Sequence, residues 1–153
     1  MLKDVLDTNI FVSATIERVG ASGRILQAWR QGKLNLISSP VLLAELEEVL
    51  KRPRIRKYQW LTSEEVAGLV SLMEKAAIQT SGNKLVSVVK EDPADDYVLS
   101  AAMEGSAEYI VTGNMHLLKL NPFQGIKIVD LSGLVKFRFR RSHLCLLSSL
   151  TRL

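Results

Sequence analysis

The chain has 153 residues, a formal net charge of +4, 47% hydrophobic residues and 24% charged ones. That length fits a single domain, and that apolar content is enough to build a core, which excludes a disordered chain. One cysteine, Cys145, excludes an internal disulfide framework and a cysteine-rich zinc site.

The apolar stretches fall far short of the ~20 residues that a bilayer span needs. Acids arrive too early in the N-terminal MLKDVLDTNIFV for a secretory signal. A soluble, cytoplasmic protein without a membrane segment is therefore expected. The charge is unevenly placed. Residues 136–153 hold Lys136, Arg138, Arg140, Arg141 and Arg152 and no acid, a local +5, which leaves 15 basic against 16 acidic residues, or −1, elsewhere.

In chain order, Lys3–Leu6 reads as a buried strand that ends in a loop at Asp7-Thr8-Asn9, with Phe11–Val12 apolar beyond it. The segment 23–31 reads as a helix with Ile25, Leu26, Ala28 and Trp29 on one side. Leu34–Ser38 is expected as a short strand. Ser39-Pro40, a capping serine before a proline at the first helical position, opens a helix over Val41–Leu50 that stops at Arg52-Pro53. Thr62-Ser63-Glu64-Glu65 forms a capping box for the next helix, which carries Val66, Leu69, Val70, Met73 and Ala77. A turn at Ser81-Gly82-Asn83 leads to an expected strand over Leu85–Val89. A helix is expected from Asp92-Pro93, then strands over Glu108–Val111 and Ile126–Val129. Strands separated by helices predict an α/β protein, a three-layer α/β/α with a central parallel sheet.

Three acids stand where water is scarce. Glu45 has Val41, Leu42 and Val49 as helical neighbours, so it lies on or beside an apolar stripe. Asp7 follows the apolar Val5-Leu6 at a strand exit. Asp96 stands in the first turn of a helix beside Asp92 and Asp95, where three like charges repel. Each has an ordinary explanation: a glutamate reaching solvent, a turn residue, a favourable helix-dipole position. Together they fall where a parallel sheet gathers the loops that follow its strands. Converging oxygen ligands without cysteine favour Mg²⁺ or Mn²⁺ over zinc. His116 and His143 are too few for a zinc triad and read as surface histidines. The basic run Lys51, Arg52, Arg54, Arg56 and Lys57 is either a solvated helix end or a phosphate-binding patch.

Four segments in this order, VLDTNIFVSA at 5–14, SSPVLLAELEEVLKRPRIRK at 38–57, EDPADDYVLSAAMEGSAEYIVTGN at 91–114 and GIKIVDLSGLV at 125–135, resemble the PIN domain superfamily. The likeness is greatest to its VapC-like group, the toxin components of bacterial and archaeal toxin–antitoxin systems. It covers residues 1–135 and leaves 136–153 as a basic and apolar tail of unassigned role. The resemblance implies an endoribonuclease in which acids hold Mg²⁺ or Mn²⁺ and water attacks an RNA phosphodiester. Carried over by position, Asp7, Glu45 and Asp96 are the catalytic acids and metal ligands, with Asp95 the alternate if the register differs by one. Asn9 and Thr112 match polar residues that orient the acids, and Lys51–Lys57 becomes the RNA-binding run. RNA, a cognate antitoxin and a second copy of the chain are the implied partners, the last through the apolar sides of the 23–31 and 62–77 helices.

Asn114 departs from the pattern, because many relatives carry an acid there. It makes a weak ligand that brings an oxygen and no charge. A catalytically weakened module that binds RNA or protein is therefore the second reading. A phosphatase of the haloacid dehalogenase kind would need an acid at position 9, and that residue is Asn9.

Overall fold

The structure, a computed structural model, describes residues 3–17 and 19–136. Its centre is a five-stranded parallel sheet made of β1 (Lys3–Leu6), β2 (Asn35–Ser38), β3 (Ile78–Gln79), β4 (Tyr109–Val111) and β5 (Lys127–Val129), in the order β3-β2-β1-β4-β5. Alternate strand residues point to opposite faces, and the two cores follow that alternation. Leu6, Leu36, Tyr109 and Val111 pack with α1 (Thr8–Ile16), α2 (Ala21–Arg30), α3 (Pro40–Leu50), α5 (Ser63–Ala76) and α8 (Leu131–Leu134). Val5, Ile37, Ile110 and Ile128 pack with α6 (Asp95–Glu104) and α7 (Met115–Leu118). This is the expected three-layer α/β/α arrangement.

The order of strands places the functional edge. From β1 the chain goes one way to β2 and β3 and the other way to β4 and β5, so β1 and β4 flank the point where the winding direction changes. Crevices form at that point, outside the carboxyl ends of the strands. Asp7 and Thr112 are the first residues beyond those two ends.

Local sequence explains most of the elements. Ser39 caps α3 by accepting from the Leu42 amide, and Thr62 and Glu65 close the capping box of α5. Two expectations fail. Phe11–Val12 belongs to a helix, because Asp7 caps α1 through the Thr8 amide and turns the chain straight from strand into helix. Leu85–Val89 is no strand. Its amides bond to side chains of α6, and the edge of the sheet is taken by Ile78–Gln79 beside β2. Smaller differences are a short α4 (Pro53–Arg56) after α3 and a start of α6 at Asp95 instead of Asp92. The apolar sides of α2 and α5 offered to a second copy are already covered within the chain, since Ile25, Leu26, Trp29, Val66, Leu69 and Met73 are all buried. Residues 137–153, most of the basic tail, lie outside the described residues.

Helix α6 is pressed closely on β2. A Cβ at Gly105, which caps α6, would stand 2.7 Å from Cγ2 of Ile37. Gly105→Ala is therefore expected to destabilise the fold by ~1–3 kcal/mol through overpacking, read as a lower urea midpoint with an unchanged slope.

Candidate functional site

The site begins at the end of β1. The Asp7 amide donates to the Val111 carbonyl (2.9 Å), so the residue is still held as a strand while its side chain is free to cap α1. Both carboxylate oxygens are used: one accepts from the Thr8 amide at 2.8 Å, the other from the Thr112 hydroxyl at 2.7 Å. Thr8 also reaches α3, where its hydroxyl donates to Oε2 of Glu45 at 3.0 Å. Beyond β4, the Asn114 amide N–H donates to Oγ1 of Thr112 (3.0 Å), and Nδ2 of Asn114 donates to Oδ2 of Asp95 (2.7 Å). One continuous chain of hydrogen bonds thus runs Glu45, Thr8, Asp7, Thr112, Asn114, Asp95, from α3 across the sheet edge to α6. The acids accept at every step but one, where the Thr112 hydroxyl accepts from the Asn114 amide.

These carboxylates act on one another. Burial pushes Asp7 above the ordinary carboxylate range, the bonds from Thr112 and Thr8 partly offset this, and nearby Asp92 adds to the rise. Glu45 is raised by burial and by Asp7 and Asp92, against the bond from Thr8. Asp95 is raised most, to about 6, by burial and by the charges of Asp7, Asp92 and Glu45, with Asn114 opposing. Among the described residues the ion pairs are Lys51–Glu47, Arg52–Glu48 and Lys84–Asp96, so no cationic side chain answers Asp7, Glu45 or Asp95.

Asp96, expected as the third acid, is turned away from this group. Its Oδ1 accepts from the amides of Val88 and Val89, both at 2.9 Å, and Oδ2 lies 3.5 Å from Nζ of Lys84. Burial alone would raise it, but the Val89 and Val88 amides and the Lys84 charge hold it below its usual value. Ser100 and Glu104 follow on the same helical face. Ser100 accepts from the Leu85 amide, and Glu104 accepts from the amide and hydroxyl of Ser81. Asp96, Ser100 and Glu104 therefore form a ladder that holds the extended segment 81–89 along α6. The carboxylate one residue earlier, on Asp95, stands in the site.

Other expected residues are placed as follows. Asn9 is exposed and makes no contact within the chain of bonds, whereas Thr8 beside it makes two. Asn114 caps α7: its Oδ1 accepts from the His116 amide while its Nδ2 serves Asp95. Lys51 and Arg52 are neutralised by Glu47 and Glu48, and Nζ of Lys57 lies 5.3 Å from the centre of the Tyr58 ring. Lys51 is six residues, or about 9 Å, further along the helix than Glu45. Sequence reasoning missed Thr8 and the nearness of Asp92. The first was legible as the residue between two polar neighbours at the start of a periodic apolar run, and the second was not.

The candidate ligands are carboxylate oxygens without histidine or cysteine, which suits a hard divalent cation such as Mg²⁺ or Mn²⁺. Asn114, expected as a weak ligand, instead has its side-chain oxygen on the His116 amide and turns its N–H to Asp95. Crowded acids with no cationic neighbour among the described residues fit such a guest. As placed, no three of the described His, Cys, Asp or Glu side chains already close on one ion.

A family model described as a PIN domain matches residues 3–116, three quarters of the chain. The chain belongs to the PIN domain family, a family of nucleases. It is 28% identical over 119 residues to the uncharacterized protein MJ1680 of Methanocaldococcus jannaschii, a match covering 78% of this chain and 75% of that protein. Its fold is similar to that of a chain in the crystal structure of VapBC2 from Rickettsia felis bound to a DNA fragment from their promoter. There the TM-score is 0.55 at 17% identity, covering 84% of this chain and 98% of the other. Among the described residues no helix is long and apolar enough to cross a membrane.

Proposed function

We propose that this protein is an Mg²⁺- or Mn²⁺-dependent endoribonuclease in which Asp7, Glu45 and Asp95 are the catalytic acids and metal ligands. One observation carries the reading: three buried or half-buried carboxylates from three separate elements, each with a pKa raised by burial, are tied together through Thr8, Thr112 and Asn114. Asp95 replaces Asp96 as third acid because the Asp96 carboxylate is committed to Val88, Val89 and Lys84.

A bound divalent ion would polarise the phosphodiester and lower the pKa of water. The protein's own part is positional. Thr8 donates its amide to Asp7 and its hydroxyl to Glu45, and Thr112 donates its hydroxyl to the other oxygen of Asp7, which fixes both carboxylates. Asn114 aligns Asp95 by the same means, and in doing so uses its amide as a donor instead of supplying a fourth negative charge.

RNA is the substrate of this reading, with the run Lys51–Lys57 as an outer contact. The protein partners are an antitoxin and a second copy of the chain, in a cytoplasmic toxin–antitoxin setting. The VapBC2 likeness supports the antitoxin. The second reading, a weakened RNA- or protein-binding module, rests on the neutral Asn114.

The test is cleavage of a single-stranded RNA by the full chain with Mn²⁺ or Mg²⁺. Cleavage should require the ion and fall on the order of a hundredfold or more in Asp7→Asn. Heat of Mn²⁺ binding without cleavage would favour the binding module, and cleavage that is indifferent to Asp7→Asn would refute the assignment of the site.

A further inference from the structure

A cavity of about 200 Å³ lies between the end of the segment held by α6 and the helix α7. One wall is Val88 to Glu91, and the other includes His116, Lys119 and Leu120. Both walls start from the site. Glu91 precedes Asp92, whose charge is felt by Asp7, Glu45 and Asp95, and the His116 amide donates to the side chain of Asn114. Both are also anchored in the core, one through Val89 (4% exposed) and the other through Leu117 (0%). The cavity is therefore a fixed part of the fold.

Its lining has a definite character. Lys90 and Lys119 bring two ammonium groups against the single carboxylate of Glu91, and the imidazole of His116 offers a flat ring. Val88 is 41% exposed and Met115, next to His116, is 62% exposed, so apolar surface lies open at the same place. Cations for phosphate together with apolar and planar groups for a base are the means by which proteins hold single-stranded nucleic acid. The Lys51–Lys57 run begins about 9 Å beyond Glu45 along the helix, and two of its five charges are already paired.

We infer that this cavity binds the nucleotide of single-stranded RNA that flanks the cleaved bond, with Lys90 and Lys119 on its phosphate and Val88 and His116 against its base. The inference rests on the nuclease reading and adds the place where the strand is gripped.

The test uses the full chain and a fluorescent ten-nucleotide single-stranded RNA in EDTA, so that binding is measured without cleavage. The double variant Lys90→Ala/Lys119→Ala should bind roughly tenfold more weakly, and its salt slope should fall by about 0.7, the value for the one phosphate that is no longer neutralised. The control Lys33→Ala/Lys75→Ala, at two exposed lysines, should stay within about twofold of wild type. Uridine 5′-monophosphate added to wild type should shift backbone amide signals of 88–91 and 116–120 in NMR spectra, which decides the matter even if the variant folds poorly. Equal binding by wild type and the Lys90/Lys119 variant, with amide shifts elsewhere, overturns the inference while the nuclease reading stands on cleavage by wild type. Shifts of the cavity amides by a hexaglutamate peptide and not by the nucleotide assign the cavity to a protein partner and also overturn it. Wild type that neither binds nor cleaves RNA with Mn²⁺ removes both readings.

Discussion

Asp95→Asn is expected to lower RNA cleavage on the order of a hundredfold or more while leaving the metal-free protein as stable as wild type at pH 7.5, or more stable. Asp96→Ala is expected to do the reverse. Asp95 is ionised at that pH against the pressure of burial and of Asp7, Asp92 and Glu45, so a neutral amide relieves the repulsion. Asp96 accepts both the Val88 and the Val89 amide on one oxygen, and its other oxygen faces Lys84. Truncating it strands two backbone donors at about 1–3 kcal/mol each, roughly 2–6 kcal/mol in all. Thermal melts in EDTA alongside cleavage rates in Mn²⁺ separate the two effects. An Asp96→Ala protein that melts like wild type but no longer cuts RNA would return the catalytic role to Asp96.

The second large effect joins pH to the metal. Asp7, Glu45 and Asp95 all have folded-state pKa values above the ordinary 3.8 or 4.5, Asp95 at about 6. For such groups the stabilising contribution is complete below the unfolded pKa and is lost as pH rises through the folded one. The site should therefore stabilise the metal-free protein as pH falls from 7.5 towards about 4, and for Asp95 the gain builds up mainly between about 6 and its ordinary 3.8. Asp96 has the opposite sign: its lowered pKa contributes stability above 3.8 that disappears as pH falls further. Subtracting the pH profile of Asp95→Asn from that of wild type isolates the first contribution. Mn²⁺ should reverse the trend. At a hundred times its Kd it stabilises by about 2.7 kcal/mol, roughly 5–10 °C in a chain of this size, and this gain should shrink below pH 6, where protons compete for the same oxygens. A melting temperature unmoved by Mn²⁺ at pH 7.5 would contradict a metal site at these acids.

Much of the fold was legible because local chemistry and tertiary packing agree. Ser39-Pro40 and Thr62-Ser63-Glu64-Glu65 announce α3 and α5, and both helices start there. The parallel sheet follows from apolar runs spaced by helices. Leu85–Val89 misled because a β-branched run looks alike whether a neighbouring strand or the polar face of a helix satisfies its amides. Only the position of Asp96 and Ser100 four residues apart, opposite that run, decides between them. The same ambiguity governs the site. Asp95 and Asp96 differ by about 100° around the helix, so one faces the sheet edge and the other the strap, and nothing in the dipeptide itself says which. Asp7 and Glu45 were readable singly, since each is an acid beside apolar neighbours, Asp7 at the N-cap of α1 and Glu45 in the middle of α3.

The ladder of Asp96, Ser100 and Glu104 has a consequence for how this protein can change. It grips the main chain of residues 81–89 and leaves Leu85, Ser87 and Val88 exposed. Evolution can therefore redecorate those outward positions, one of which borders the cavity, without disturbing the carboxylates a few residues away. Proline is the exception, since at 85, 88 or 89 it would delete an anchoring amide. Under the nuclease reading, preference for one RNA sequence over another can drift in this way while the acids stay as they are.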